Sequence, residues 1–189
     1  MATRNVGKLR EFRTLLARTG WSILGLADIA IDRNHEETGR SFAENARGKA
    51  LNYSRDTGLP VLADDSGLEI ATLEGRPGIY SARYGGSQAS DADRIRKILE
   101  ELEAAGGSRD ARFVCALALA LSGSVLAEAE GECIGEIARE PRGADGFGYD
   151  PIFLVPELGK TMAELSEEEK NRHSHRGRAV TMLVDSPRK

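Results

Sequence analysis

Leu62-Ala63-Asp64-Asp65-Ser66-Gly67-Leu68-Glu69-Ile70, running on to Gly75-Arg76-Pro77-Gly78-Ile79-Tyr80-Ser81-Ala82-Arg83-Tyr84-Gly85-Gly86, is the stretch on which the rest of the chain turns. Pro60 and the apolar residues Val61 to Ala63 mark a buried strand, and two adjacent carboxylates with a Ser-Gly turn follow at once. Successive strand residues point to opposite faces, so Asp64 and Asp65 share one pocket only where the strand has ended. The reading is therefore a strand that stops near Ala63. One acid then braces the loop by local hydrogen bonds while the other faces the chemistry. A buried carboxylate needs a cation, hydrogen-bond donors or water. Standing alone, Asp-Asp-Ser-Gly is more simply an Asx-type turn with two solvated acids. It does not stand alone.

Upstream, Thr3-Arg4-Asn5-Val6-Gly7-Lys8 opens a helix with apolar Leu9, Phe12, Leu15 and Leu16, closing at Gly20. A polar, Gly-containing loop entering a helix is a ready anion site, because unpaired N–H groups and the helix dipole point at it. It is not a Walker A loop, which would have a Ser or Thr after the lysine. Ser22 to Leu26 reads as a strand. Ser41-Phe42-Ala43-Glu44 reads as a capping box opening a helix through Ala46, Ala50 and Tyr53 to Gly58. Glu36 and Glu37 precede that helix, where negative charge is mildly stabilised; metal binding is the competing role. Asn45 and Lys49 lie one turn apart on one face, lining a site or simply solvated.

Downstream, Ser90 caps a helix bearing Ile95, Ile98, Leu99 and Leu102, and Gly106 lies beyond its end. Arg112 to Leu121 is apolar on both faces and so a central strand, joined through Ser122-Gly123-Ser124 to a wetter strand region ending at Ile137. Strands and helices without strict alternation indicate α/β or α+β with a mixed sheet. In Pro141-Arg142-Gly143-Ala144-Asp145-Gly146-Phe147-Gly148-Tyr149-Asp150-Pro151, glycines flank two aromatics and would let the rings stand clear, as base stacking requires. An aromatic-anchored surface loop is the plainer alternative. Thr161 to Glu164 is a further capping box. The acidic Glu167 to Glu169 run then meets a basic cluster, Lys170 to Arg176, before a last amphipathic helix.

With 189 residues the chain is long enough for one domain with a substantial core, spanning 1–189. A net charge of −4 gives no reason to expect a nucleic-acid polymer. Met1 to Asn5 lacks the apolar stretch of a secretory signal, and Phe113 to Leu121 is about half a membrane span. Cys115 and Cys133, far apart and outside any Cys-x-x-Cys, read as buried free thiols. These features point to a cytoplasmic protein without membrane partners.

Together the segments ask for one ligand. An anion site, a carboxylate cluster, an aromatic Gly-rich loop and a Lys/His/Arg cluster suit a nucleoside triphosphate with Mg²⁺, which binds through one or two carboxylates plus phosphates. Thr3-Arg4-Asn5-x-Gly7-Lys8, Glu36-Glu37-Thr38-Gly39 with Ser41-Phe42-x-Glu44-Asn45-Ala46, Ala63 to Gly67 through Tyr80 to Tyr84, Gly146 to Pro151, Gly159-Lys160-Thr161, and Glu169-Lys170-Asn171 with Ser174-His175-Arg176 occur in order along the chain. In these motifs, nearly end to end, the chain resembles the inosine/xanthosine triphosphate pyrophosphatase family.

The resemblance implies an α/β fold with a mixed central sheet flanked by helices, two lobes with the substrate cleft between them, and a homodimer. The implied reaction is Mg²⁺-dependent hydrolysis of ITP, dITP or XTP to the monophosphate and pyrophosphate. By motif, Thr3, Arg4, Asn5, Val6, Gly7 and Lys8 would hold the triphosphate. Asp65 would be the general base and a metal ligand, Glu36 a second metal-site carboxylate, and Ser66 a substrate contact. Phe147, Gly148, Tyr149 and Asp150 would meet the nucleoside, with Phe147 stacking the base, and Lys170, His175 and Arg176 would complete the pocket. The resemblance also implies an apolar strand ahead of the Thr3 loop, of which Met1 and Ala2 are present here.

Overall fold

A computed structural model describes residues 1–86 and 88–185. Helices α1 (Val6–Leu16), α2 (Phe42–Thr57), α3 (Asp91–Ala105), α4 (Glu167–His173) and α5 (His175–Asp185) flank a five-stranded sheet. Its strands β1 (Val61–Ile70), β2 (Asp110–Leu121), β3 (Ser124–Ile137), β4 (Phe153–Val155) and β5 (Lys160–Thr161) lie in sequence order. The class is the α/β one expected, and the strand directions are more uniform than a mixed sheet, being antiparallel.

The chain falls into two compact units. The first comprises Met1–Asp65, Cys115–Gly131 and the segment from His175 onward. Asn5 caps α1 by accepting from Lys8 N at 3.0 Å, and Ser41 caps α2 by accepting from Glu44 N at 3.2 Å. Each such cap contributes about 1 kcal/mol. The helical spacing of Phe12 and Leu16 buries both against Leu62, Cys115, Leu117, Val180 and Leu183. Phe12 and Leu16 are fully buried, and at about 1.5–3 kcal/mol per side chain they are what seats α1. β2 and β3 are joined by Ser122 and Gly123, both at positive φ (49° and 79°), the backbone that a two-residue hairpin demands. Where α5 lies on β3, a Cβ at Gly131 would sit 2.3 Å from Ala179 N and 2.4 Å from His175 O, so helix and strand meet backbone to backbone.

Ser22 to Leu26 is not a strand. Its backbone groups are bonded by groups other than a ladder: the amino group of Met1 donates to Leu24 O, Arg13 Nε donates to Ile23 O, and Gly25 N donates to Asp28 Oδ2. Apolar content suggested a strand, but no neighbouring edge takes this segment up. Ala2, by contrast, does dock on β1, its N–H donating to Leu62 O at 2.9 Å.

The second unit comprises Ser66–Val114 and Glu132–Ser174. Ser90 and Asp93 form a capping box at the start of α3, whose Ile95, Ile98 and Leu102 are buried. They join Leu68, Ile70, Phe113, Ile137, Ile152 and Phe153 in one core, with the Phe113 and Phe153 rings stacked at 4.2 Å between centroids. Short β4 and β5 lead through a second capping box, Thr161 with Glu164, to α4.

Candidate functional site

Strand β1 does not end at Ala63. It runs to Ile70, so Asp64 and Asp65 are neighbours within a strand and point to opposite faces. Both are buried, at 1% and 6% exposure, so each needs its own partners. The expectation that one of them braces a local turn is therefore corrected: no turn is there to brace.

Asp64 is paired with a cation 56 residues away. Lys8, in the first turn of α1, places Nζ 3.0 Å from Asp64 Oδ2. Burial opposes ionisation of Asp64, but the charges of Lys8, Lys49 and Arg176 outweigh it and hold the carboxyl down at about 2. At neutral pH it is an anion. Buried Cys115 is pushed well up, by burial first and then by Asp64, and is no nucleophile.

Asp65 has a different environment. Its Oδ2 accepts from Asn45 Nδ2 at 3.0 Å, and its Oδ1 is 3.5 Å from Lys49 Nζ. Burial raises its carboxyl above the ordinary value, Lys49 pulling the other way and Glu37 adding to the rise. Asn45 and Lys49 come from one face of α2, as their spacing allowed. Lys49 also donates to Glu37 Oε1 at 2.9 Å and to the carbonyl of Asp64 at 2.5 Å. Burial works against the charge on Lys49, but Asp64, Asp65 and Glu37 together keep it an ammonium. Two adjacent acids thus have divided properties, one fixed as a structural anion and one held nearer to accepting a proton.

The loop before α2 is held on the same cluster. Gly39 N donates to Asn45 Oδ1 at 2.8 Å, Tyr53 Oη donates to Arg33 O at 3.0 Å, and His35 Nε2 lies 2.7 Å from Asp56 Oδ2. Glu37 thereby reaches Lys49, whereas Glu36 is exposed. At the start of α1, Thr3 Oγ1 accepts from Asn5 N, and Arg4 donates to Asp32 O at 2.7 Å. Val6 is 79% exposed, and Gly7 is partly exposed beside it. These first-turn residues present helix-start backbone at the surface. Arg176, at the start of α5, donates to Glu11 Oε2 at 2.9 Å, both of them buried, and the adjacent His175 is buried as well.

In the second unit the Gly-rich loop is organised by carboxylates. Asp150, 3% exposed, accepts from Phe147 N at 2.8 Å and from Lys170 Nζ at 2.6 Å. Asp91, at the first position of α3, accepts from Gly148 N at 2.7 Å. Tyr149 does not stand clear of the loop: its ring is buried and its hydroxyl donates to Ser81 O at 2.9 Å. Phe147 alone remains a half-exposed ring, with the Lys170 ammonium 5.2 Å from its centroid. It lines a cavity of about 570 Å³ together with Ile95 and Leu99. Ser66, in β1, is partly exposed and belongs to this unit.

Thr3 to Lys8, Asp65, Glu36, His175 and Arg176 thus lie in the first unit, and Ser66, Phe147 to Asp150 and Lys170 in the second. Glu11 and Asp91 join these clusters without any role expected of them. Asp64, expected as a loop brace, joins as the partner of Lys8, and Glu37, expected as a helix-start charge or metal ligand, as a partner of Lys49. Asn45 and Lys49, expected to line a site or be solvated, join as partners of Asp65. For Asn45 and Lys49 the signal was their spacing on one helix face. For Glu11 and Asp91 the ordinary helix positions they occupy gave none. Among the described residues no group of three or more His, Cys, Asp or Glu is placed to hold a metal ion by itself.

The Ham1 family model matches residues 1–186. A dITP/XTP pyrophosphatase of Gloeobacter violaceus is 56% identical over 185 residues, covering 97% of this chain and 91% of that protein. One from Thermus thermophilus is 50% identical over 187 residues, covering 98% of this chain and 89% of that protein. Among solved structures, a HAM1 protein from Coxiella burnetii superposes with a TM-score of 0.87 at 46% identity, covering 97% of this chain and 96% of that one.

Proposed function

The chain belongs to the Ham1 family, and from that premise we propose that it hydrolyses non-standard purine nucleoside triphosphates, dITP, ITP and XTP, to the monophosphate and pyrophosphate. The carrying observation is the division of labour between Asp64 and Asp65: one locked on Lys8, the other raised by burial and set between Asn45 and Lys49. A protein that only sensed nucleotides would gain nothing from a second buried acid poised to take a proton.

Thr3 to Lys8 hold the triphosphate at the start of α1 through backbone N–H groups other than those of Asn5 and Lys8, which are bonded to Thr3 Oγ1 and Asn5 Oδ1. Asp64 fixes the Lys8 ammonium in place for it. Asp65 takes the proton of the attacking water. The new bond forms at a phosphorus flanking the α–β bridge, and the bridging oxygen leaves as the other product's phosphate oxygen. The carboxylate donors suit Mg²⁺, an oxygen-seeking ion that uses one or two carboxylates and completes its shell with phosphates and water. Asp65 already faces one cation, Lys49, which Glu37 shares, and Glu36 stands beside Glu37 in the same loop. When bound, Mg²⁺ would neutralise phosphate charge. In the second unit Phe147 offers the stacking face, and Lys170, held by Asp150, offers a donor to a purine 6-keto group. The N–H groups of Phe147 and Gly148 are already committed to Asp150 and Asp91, so Lys170 is the better reader of the base. Adenine presents an amino donor at that position and is rejected. His175 and Arg176 complete the substrate contacts. The working form is a homodimer in the cytoplasm.

The test is pyrophosphate release from dITP, XTP, ITP and ATP with and without Mg²⁺. The expected result is Mg²⁺-dependent release from the first three, with kcat/KM for ATP lower by about 10⁴. Nucleotide binding without release would establish a sensor instead, and equal kcat/KM for ATP and ITP would refute the base reading.

A further inference from the structure

Asn45 contacts the proposed base with one end of its side chain and the proposed metal-site loop with the other. Asn45 is 2% exposed, so both ends of its amide must be satisfied inside the protein. Gly39 N donates to Oδ1 at 2.8 Å, which commits that end as the acceptor. The –NH₂ end must then face Asp65, and it does, donating to Oδ2 at 3.0 Å. The reverse orientation would set N–H against N–H and oxygen against carboxylate, so the two partners define the amide orientation between them. Gly39 is part of the fit. A Cβ there would lie 2.7 Å from Asn45 Oδ1 and 2.9 Å from Asn45 N, so only a residue without a side chain lets the loop approach this closely.

We propose that Asn45 is a positioning residue, a two-ended clamp that holds the Asp65 carboxylate in its working orientation and ties it to the Glu36-Glu37 loop. This rests on the reading of Asp65 as the base. With Oδ2 engaged by Asn45 and Oδ1 near Lys49, the plane of the carboxylate is fixed before any substrate arrives. An aspartate at position 45 could still accept from Gly39 but would turn an oxygen toward Asp65. That distinguishes an amide chosen for its donor from one chosen for its shape.

The experiment compares Asn45→Ala and Asn45→Asp with the wild type in kcat and KM for dITP, in affinity for a non-hydrolysable α,β-methylene dITP, and in melting temperature. Expected is a loss in kcat of about 10- to 100-fold in both variants, with KM and analogue affinity within about threefold. A merely structural amide would lower the melting temperature and leave kcat per folded molecule unchanged. Asn45→Asp keeps the Gly39 bond and the volume, so it decides the matter if Asn45→Ala does not fold. Retention of wild-type kcat by Asn45→Asp, or analogue binding lost in step with kcat, overturns the proposal. A wild type that releases no pyrophosphate would refute the hydrolase reading and not the clamp. In that case the side-chain ¹⁵NH₂ resonances of Asn45 report directly: they should shift on Asp65→Leu, and resonances that stay in place would overturn the clamp.

Discussion

Replacing Asp64 by Asn removes one charge and little else. Asp64 is 1% exposed, and Lys8 Nζ lies 3.0 Å from its Oδ2. Its carboxyl is held at about 2 against an ordinary 3.8. That depression corresponds to about 2 kcal/mol of stability at neutral pH. The folded-state value is depressed, so the contribution is complete above the unfolded value near 4. It disappears as pH falls through about 2. Asp64→Asn should therefore cost about 2 kcal/mol at pH 7, or about 4–8 °C in melting temperature for a chain of this size. The Lys8 side chain is 17% exposed, so its ammonium regains some water and keeps the loss near that value. Urea unfolding of both proteins at pH 7, 5 and 3 measures it: the gap should hold from 7 to 5 and begin to close by 3. A variant as stable as the wild type at pH 7, or a gap that ignores pH, would refute the assignment of Asp64 as a buried anion paired with Lys8.

Asp65→Asn should behave in the opposite way: kcat for dITP falls by about 10²–10⁴, while melting temperature holds or rises, because the ionised Asp65 is disfavoured by burial. Lys170→Met leaves Asp150 buried without its ammonium; unfolding in urea should show a loss of about 3–5 kcal/mol, and the preference for dITP over ATP should shrink. Chelation of Mg²⁺ should stop pyrophosphate release, and adding Mg²⁺ back should restore it. Light scattering at micromolar concentration should give twice the 20.4 kDa chain mass.

Much of the fold was legible because it rests on local chemistry. Ser41, Ser90 and Thr161 announced helix starts, Gly58 and Gly106 announced ends, and the apolar run in β2 announced a strand flanked on both sides. Ser22 to Leu26 misled because strand formation needs an available edge, which apolar content does not reveal. At the site, motif likeness pointed to Lys8, Asp65, Phe147 and Lys170. It could not show that the Lys8 ammonium is committed to Asp64, since that contact spans 56 residues. The length of β1 was misjudged because Asp-Asp-Ser-Gly has turn-forming composition, and Lys8 and Lys49 remove the cost of burying both acids within a strand. Tyr149 was expected in the open for its glycine neighbours, yet the Ser81 carbonyl offers its hydroxyl a buried partner.

The contact of α5 with β3 at Gly131 also constrains inheritance. Any other residue begins with a carbon where the backbone of Ala179 and His175 already stands, 2.3–2.4 Å away. Backbone cannot step aside as a side chain can, so the helix that begins with His175 and Arg176 would have to lift off the sheet as a whole. Saturation of codons 130 to 132 followed by selection for folded protein should return varied residues at the exposed positions 130 and 132 and glycine between them. A lineage can rewrite much of this strand's outer face, but one codon in the middle of it is closed to drift.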